Sequence, residues 1–72
     1  MKFGVLQFFS WPGRRNSLEV VYERALSRVD TMDRTGYDAV WLAEHHFQHE
    51  GYECIPNILQ LAVHLAHVTS KI

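Results

Sequence analysis

Three consecutive titratable side chains, Glu44, His45 and His46, stand directly behind the apolar run Ala39-Val40-Trp41-Leu42-Ala43. An acid and two imidazoles are costly to bury without partners, so the core must end where Glu44 begins. Val, Trp and Leu suit a strand covered on both faces, which puts the triplet at that strand's C-terminal edge. In α/β folds this edge is where chemistry is usually done. Side chains alternate along extended backbone, so one imidazole can face a pocket while its neighbour bonds to the scaffold. A neutral imidazole near pH 7 donates or accepts a proton, which suits general acid/base work or holding a reactive oxygen species. A hydrogen-bonded structural pair accounts for the same two histidines equally well, and position alone does not separate the two readings.

Other clusters are weaker. Glu44, His45, His46, His49 and Cys54 are all zinc-type ligands, and His45 and His49 have a plausible helical spacing. The stretch matches neither His-Glu-x-x-His nor paired Cys-x-x-Cys, and Gly51 marks it as loop, so no metal site is expected. His49 reads as a solvated loop residue. The turn Ser10-Trp11-Pro12-Gly13-Arg14-Arg15 lacks both Gly-x-Gly-x-x-Gly and Gly-x-x-x-x-Gly-Lys, which argues against nucleotide binding of either type. Cys54 has no flanking base and reads as a small buried residue.

The elements that must position the triplet follow from hydrophobic period. Residues 3 to 9, Phe-Gly-Val-Leu-Gln-Phe-Phe, are apolar on both alternating faces apart from Gly4 and Gln7, as in a strand of a parallel sheet. A helix begins near Asn16 or Ser17, where Asn16 and Glu19 resemble a capping box. Leu18, Val21, Tyr22, Ala25, Leu26, Val29 and Met32 form its apolar stripe, with Glu19, Glu23, Arg24, Arg28 and Asp33 away from it. Gly36 suits the left-handed residue that ends a helix, with Arg34 in the last turn. The second strand starts at Ala39, and strand, helix, strand at this spacing make a right-handed βαβ unit. Ile55-Pro56-Asn57 leads into a second helix running to about Ser70. Its inner face is Ile58, Leu61, Ala62, Leu65, Ala66 and Thr69, while Gln60, His64 and His67 point away.

Composition sets the bounds. The 72 residues make one small α/β domain, 1–72, with a thin core. Hydrophobic residues at 47% and charged residues at 21% describe a globular chain. A formal net charge of −1, with acids and bases interspersed, gives no case for nucleic acid or an anionic membrane surface. No apolar run approaches the ~20 residues that span a bilayer. Met1-Lys2-Phe3-Gly4-Val5 enters a strand-like pattern at once, so no secretory signal is expected. The single Cys54 forms no internal disulfide, which points to a reducing cytoplasm.

The string Val40-Trp41-Leu42-Ala43-Glu44-His45-His46-Phe47 closely resembles the N-terminal region of the bacterial-luciferase-like flavin-dependent monooxygenases. Met1-Lys2-Phe3-Gly4, Gly36-Tyr37-Asp38, Pro56, Ala62-Val63-His64-Leu65-Ala66 and Thr69 before Ile72 carry the resemblance over essentially all 72 residues. It implies a (β/α)8 TIM barrel, of which this βαβα chain corresponds to the first quarter, stopping after the second helix. It also implies reduced FMN supplied by a separate flavin reductase, its reaction with O2 to a flavin hydroperoxide, and insertion of one oxygen atom into a small organic substrate such as an aldehyde. His45 matches the family's catalytic histidine; Glu44 and His46 match its neighbours and are candidate supporting residues. The family's cofactor-binding residues lie largely on later strands, so none is assigned here.

Two strands cannot close a barrel, so the isolated 72 residues are expected to be inactive and to self-associate as a homo-oligomer through their open sheet edges. Two alternatives keep different chemistry. One is a deazaflavin-dependent oxidoreductase of the same superfamily, transferring hydride. The other is a non-catalytic truncated remnant that serves as an interaction module.

Overall fold

The computed structural model describes residues 1–46 and 57–72. Phe47, His49, Cys54 and Pro56, to which the sequence assigns parts in the motif or the loop, lie outside the described residues. The order is β1 (Gly4–Gln7), α1 (Leu18–Arg34), β2 (Ala39–Leu42) and α2 (Ile58–Val68), with a short 3-10 turn at Pro12–Arg14 after β1. The strands pair in parallel, Gly4 with Ala39, Val5 with Val40, Leu6 with Trp41 and Gln7 with Leu42. This is the expected βαβ unit followed by a helix. Before the first rung, Asp38 N–H donates to the Phe3 carbonyl and Phe3 N–H to Asp38 Oδ2, each at 2.8 Å.

Helix α1 starts as the pattern requires, although its cap is one residue later than the Asn16–Glu19 box. Ser17 is extended, and its hydroxyl accepts the Val20 amide at 3.3 Å. Ser17 thereby satisfies one of the donors that a helix N-terminus leaves free, and Glu19 acts only as an acid in the first turn. The far end closes on Gly36 at φ +93°, where the Tyr37 amide reaches back to the Met32 carbonyl at 3.1 Å. That is the 6→1 bond of a Schellman ending, and a side chain at Gly36 would make the conformation strained.

The core lies at the C-terminal end of the sheet, between the two helices. Phe9, Val21 and Ala25 are its buried centre, and Trp11, Tyr22, Leu42, Ile58 and Leu61 pack around it. The Phe9 and Tyr22 rings meet at 5.4 Å between centroids. Phe9 is 1% exposed, and burying a side chain of this kind is worth about 1.5–3 kcal/mol. Val29, Met32 and, on α2, Leu65 are also buried, whereas Leu18 of the expected stripe is exposed.

Three expectations need correction. The first strand is four residues long rather than seven, and it is covered on one face only. Leu6, Phe8 and Trp41 are exposed at 55%, 45% and 66%, because both helices pack on the other face of the pair. Asp33 lies off the apolar stripe, as the period places it, and has a structural part of its own. Its carboxylate accepts the amides of Ser70, Lys71 and Ile72 at 2.8, 2.8 and 3.0 Å. These bonds tie the chain after α2 back to α1. Helix α2 ends at Val68 rather than Ser70, since Thr69 is extended and its hydroxyl donates to the Leu65 carbonyl at 2.7 Å. Ala66, placed on the inner face by the period, is exposed. Gln60, His64 and His67 are exposed as the wheel requires.

Candidate active site

The Glu44-His45-His46 corner begins two residues after β2, where the sheet ladder has ended. Its three side chains divide into a pair and a single group. Glu44 Oε2 and His46 Nε2 are 3.1 Å apart, with both side chains partly open to solvent. Glu44 Oε1 accepts the Ile58 amide at 2.9 Å, at the first position of α2. Asn57 caps the same end, its Oδ1 accepting the Gln60 amide at 3.4 Å. A carboxylate at a helix N-terminus meets free N–H groups and the positive end of the helix dipole. The Ile58 amide bond, and then the His46 hydrogen bond, hold the Glu44 carboxyl below the ordinary glutamate value against an opposing desolvation effect. Glu44 is therefore an anionic tether between the end of β2 and the start of α2.

His45 goes the other way. It is half-buried, and its Nδ1 is buried without a hydrogen-bond partner among the described residues. The imidazole lies against Phe8, with ring centroids 6.4 Å apart and planes tilted by 52°. Phe8 continues the parity of Leu6 beyond β1, and Leu6 is the register partner of Trp41. His45 thus stands beside the uncovered face of the sheet, and His46 bonds back to the scaffold. This is the division that alternation along extended backbone anticipates for adjacent histidines.

A buried polar atom with no partner is unusual, since nearly all such groups in folded proteins find one. Leaving such an atom unpaired costs about 1–3 kcal/mol. An open apolar face of Leu6, Phe8 and Trp41 beside one free imidazole nitrogen suits a flat ligand with apolar faces and polar ring edges. Among the described residues, no group of three or more His, Cys, Asp or Glu side chains is placed to hold a metal ion.

Sequence reasoning reached Glu44, His45 and His46 but not their partners. Phe8 was read only as strand core, although its position two residues beyond Leu6 was the signal that it shares a face with the His45 corner. The Ile58 amide was also findable. Asn57 announces a helix start, and a helix start seeks a carboxylate.

No helix among the described residues is long and apolar enough to cross a membrane. No curated protein and no solved structure matches the chain. A family model described as luciferase-like monooxygenase matches residues 1–72, the whole sequence, including the strand, the corner and the helix that Glu44 tethers. The chain belongs to the luciferase-like monooxygenase family.

Proposed function

We propose that the protein carrying this chain uses reduced FMN, delivered by a flavin reductase, to insert one oxygen atom of O2 into a small organic substrate. His45 is the group that handles the proton. The observation that carries the reading is the buried Nδ1 of His45, without a partner among the described residues, beside the bare face of the sheet. Reduced flavin, when bound, supplies the two electrons that activate O2, one oxygen atom going to the substrate and the other leaving as water.

The chain's own residues do the rest. Leu6, Phe8 and Trp41 offer an apolar surface that excludes water from one side of the corner. Phe8 lies beside the imidazole, with ring centroids 6.4 Å apart. His45 Nδ1 holds or delivers a proton at that surface, as a neutral imidazole can near pH 7. Glu44, kept ionised by the Ile58 amide and His46, fixes the backbone on which His45 sits. The βαβα order and parallel register are those with which a (β/α)8 barrel opens, and in such a barrel the bare face would look inward.

The test supplies the protein that carries these residues with reduced FMN, an aldehyde and 18O2. One labelled oxygen atom in the product is the expected result, with no product from the 72 residues alone. Product without label, or binding of a deazaflavin in preference to FMN, overturns the reading.

A further inference from the structure

A second concavity shares one wall with the His45 corner. It opens between the end of β1 and the middle of α1, has a volume of about 290 Å³, and is lined by Phe8, Ser10, Pro12, Asn16, Arg24 and Arg28 among others. That volume lies near the lower bound of small-molecule sites, about 300 Å³. Arg24 and Arg28 are four residues apart on α1, so they are neighbours on one side of the helix and both line the cleft. Neither has an acidic partner among the described residues, where the ion pairs are Asp30 with Arg34 and Glu44 with His46. Two like charges held at this spacing repel each other, and no acidic side chain among the described residues lines the cleft to offset them. The walls are otherwise mixed: Phe8 and Pro12 are apolar, and Ser10 and Asn16 carry neutral polar groups.

We infer that this cleft binds a small organic oxyanion, a carboxylate or a phosphate ester, with its charged end between Arg24 and Arg28 and its apolar body against Phe8 and Pro12. A guanidinium presents a planar fork of donors that matches both oxyanions in a bidentate manner. Two such forks one helical turn apart provide more donors than a single oxyanion needs for full pairing. The site is separate from the proton-handling nitrogen of His45 and stands whatever chemistry that residue performs. Its place at the C-terminal end of β1, with Phe8 common to both, puts a bound ligand next to the corner.

Phenyl phosphate, benzoate and inorganic phosphate are the probes, titrated into the 72-residue chain by calorimetry and by NMR of the phenylalanine rings. Phenyl phosphate and benzoate should bind more tightly than inorganic phosphate, with shifts centred on Phe8. Arg24→Gln and Arg28→Gln should each weaken phenyl phosphate by about tenfold, the loss expected when one charged hydrogen bond is removed. Arg28→Lys should recover only part of that loss, because it keeps the charge without the fork. Lys2→Gln, at the opposite end of the sheet, makes the same charge change and should leave binding unaltered. An equal loss in Lys2→Gln, or no saturable binding of any probe, overturns the inference. If a glutamine variant loses its helical circular dichroism, the ring shifts of the unaltered chain decide: shifts at Phe8 or Phe9, which both line the cleft, support the site, and shifts confined to Phe3 overturn it.

Discussion

Glu44 Oε1 accepts the Ile58 amide N–H at 2.9 Å, so a carboxylate just past β2 caps the first turn of α2 across fourteen residues of chain. The bond exists in full only while Glu44 is ionised, and the Ile58 amide and His46 hold its pKa below the ordinary 4.5. A depressed folded-state pKa contributes stability above the unfolded value and loses it as pH falls through the folded one. Glu44→Gln keeps the shape and removes the charge. At neutral pH the Ile58 amide should exchange hydrogen faster in the variant than in the parent. The difference should shrink below pH 4.5, where the parent's own carboxyl begins to protonate. A difference that persists unchanged into acid would show that the charge has no part in the cap.

Asp33 makes the same kind of contact three times over. The amides of Ile72, Lys71 and Ser70, in that order of effect, lower its pKa from the ordinary 3.8. The sign is again that of a depressed carboxylate: the stabilisation is present above 3.8 and is lost as pH falls through the lowered value. Asp33→Asn should lower the melting temperature at pH 7 and free the Ser70, Lys71 and Ile72 amides to exchange. Far below pH 3.8 variant and parent should melt alike. Unchanged exchange at those three amides in the variant would remove the clamp from the account of the fold.

Periodicity made most of this architecture legible. The stripe Val21, Ala25, Val29 and Met32 could only be the buried side of a helix, and Gly36 had to end it, because no residue with a Cβ takes φ +93° without strain. The wheel placed Asp33 off the stripe but could not foresee its partners, because it counts faces and knows nothing of a later segment that brings three amide donors to one carboxylate. The bare face escaped for a related reason. Leu6, Phe8 and Trp41 are as apolar as buried strand residues, and a sequence records hydrophobicity without recording whether a partner layer lies over it. At the corner, the order Glu-His-His marked the edge of the core. Which histidine would be left with a free nitrogen depended on Glu44 having a choice of partners in space.

The bare face predicts self-association. Leu6, Phe8 and Trp41 form one side of a two-stranded sheet, and Phe3 at its entry is 59% exposed. Aromatic side chains carry about 150–250 Å² of surface each, and a patch of several hundred Å² seldom stays exposed on a monomer. Light scattering on the 72-residue chain should give a mass above that of one copy, rising with concentration. Trp41→Ser and Leu6→Ser should return it toward a monomer and should leave helical content unchanged, since neither residue is in the core. In the parent, the emission of Trp41 should move to shorter wavelength as the chain is concentrated. A monomer at all concentrations, with Trp41 quenched as a free indole, would contradict the prediction.

His45 gives the prediction with most weight on function. In the oxygen-transfer reading its Nδ1 handles a proton, and positioned acid/base groups contribute about 10²–10⁴-fold to rate. His45→Asn keeps a polar side chain of similar reach without an ionisable ring, so turnover of the protein carrying it should fall by about that factor. Binding of reduced FMN should change little, because the apolar face of Leu6, Phe8 and Trp41 is untouched. Phe8 is a positioning residue, acting through its contact with the imidazole at 6.4 Å between ring centroids. Phe8→Leu should therefore lower turnover less than His45→Asn and leave the KM for the organic substrate unchanged, whereas Phe8→Tyr should restore turnover. Turnover in His45→Asn equal to that of the parent would mean that the proton is handled elsewhere. The free nitrogen at the end of the sheet would then belong to the architecture and not to the reaction.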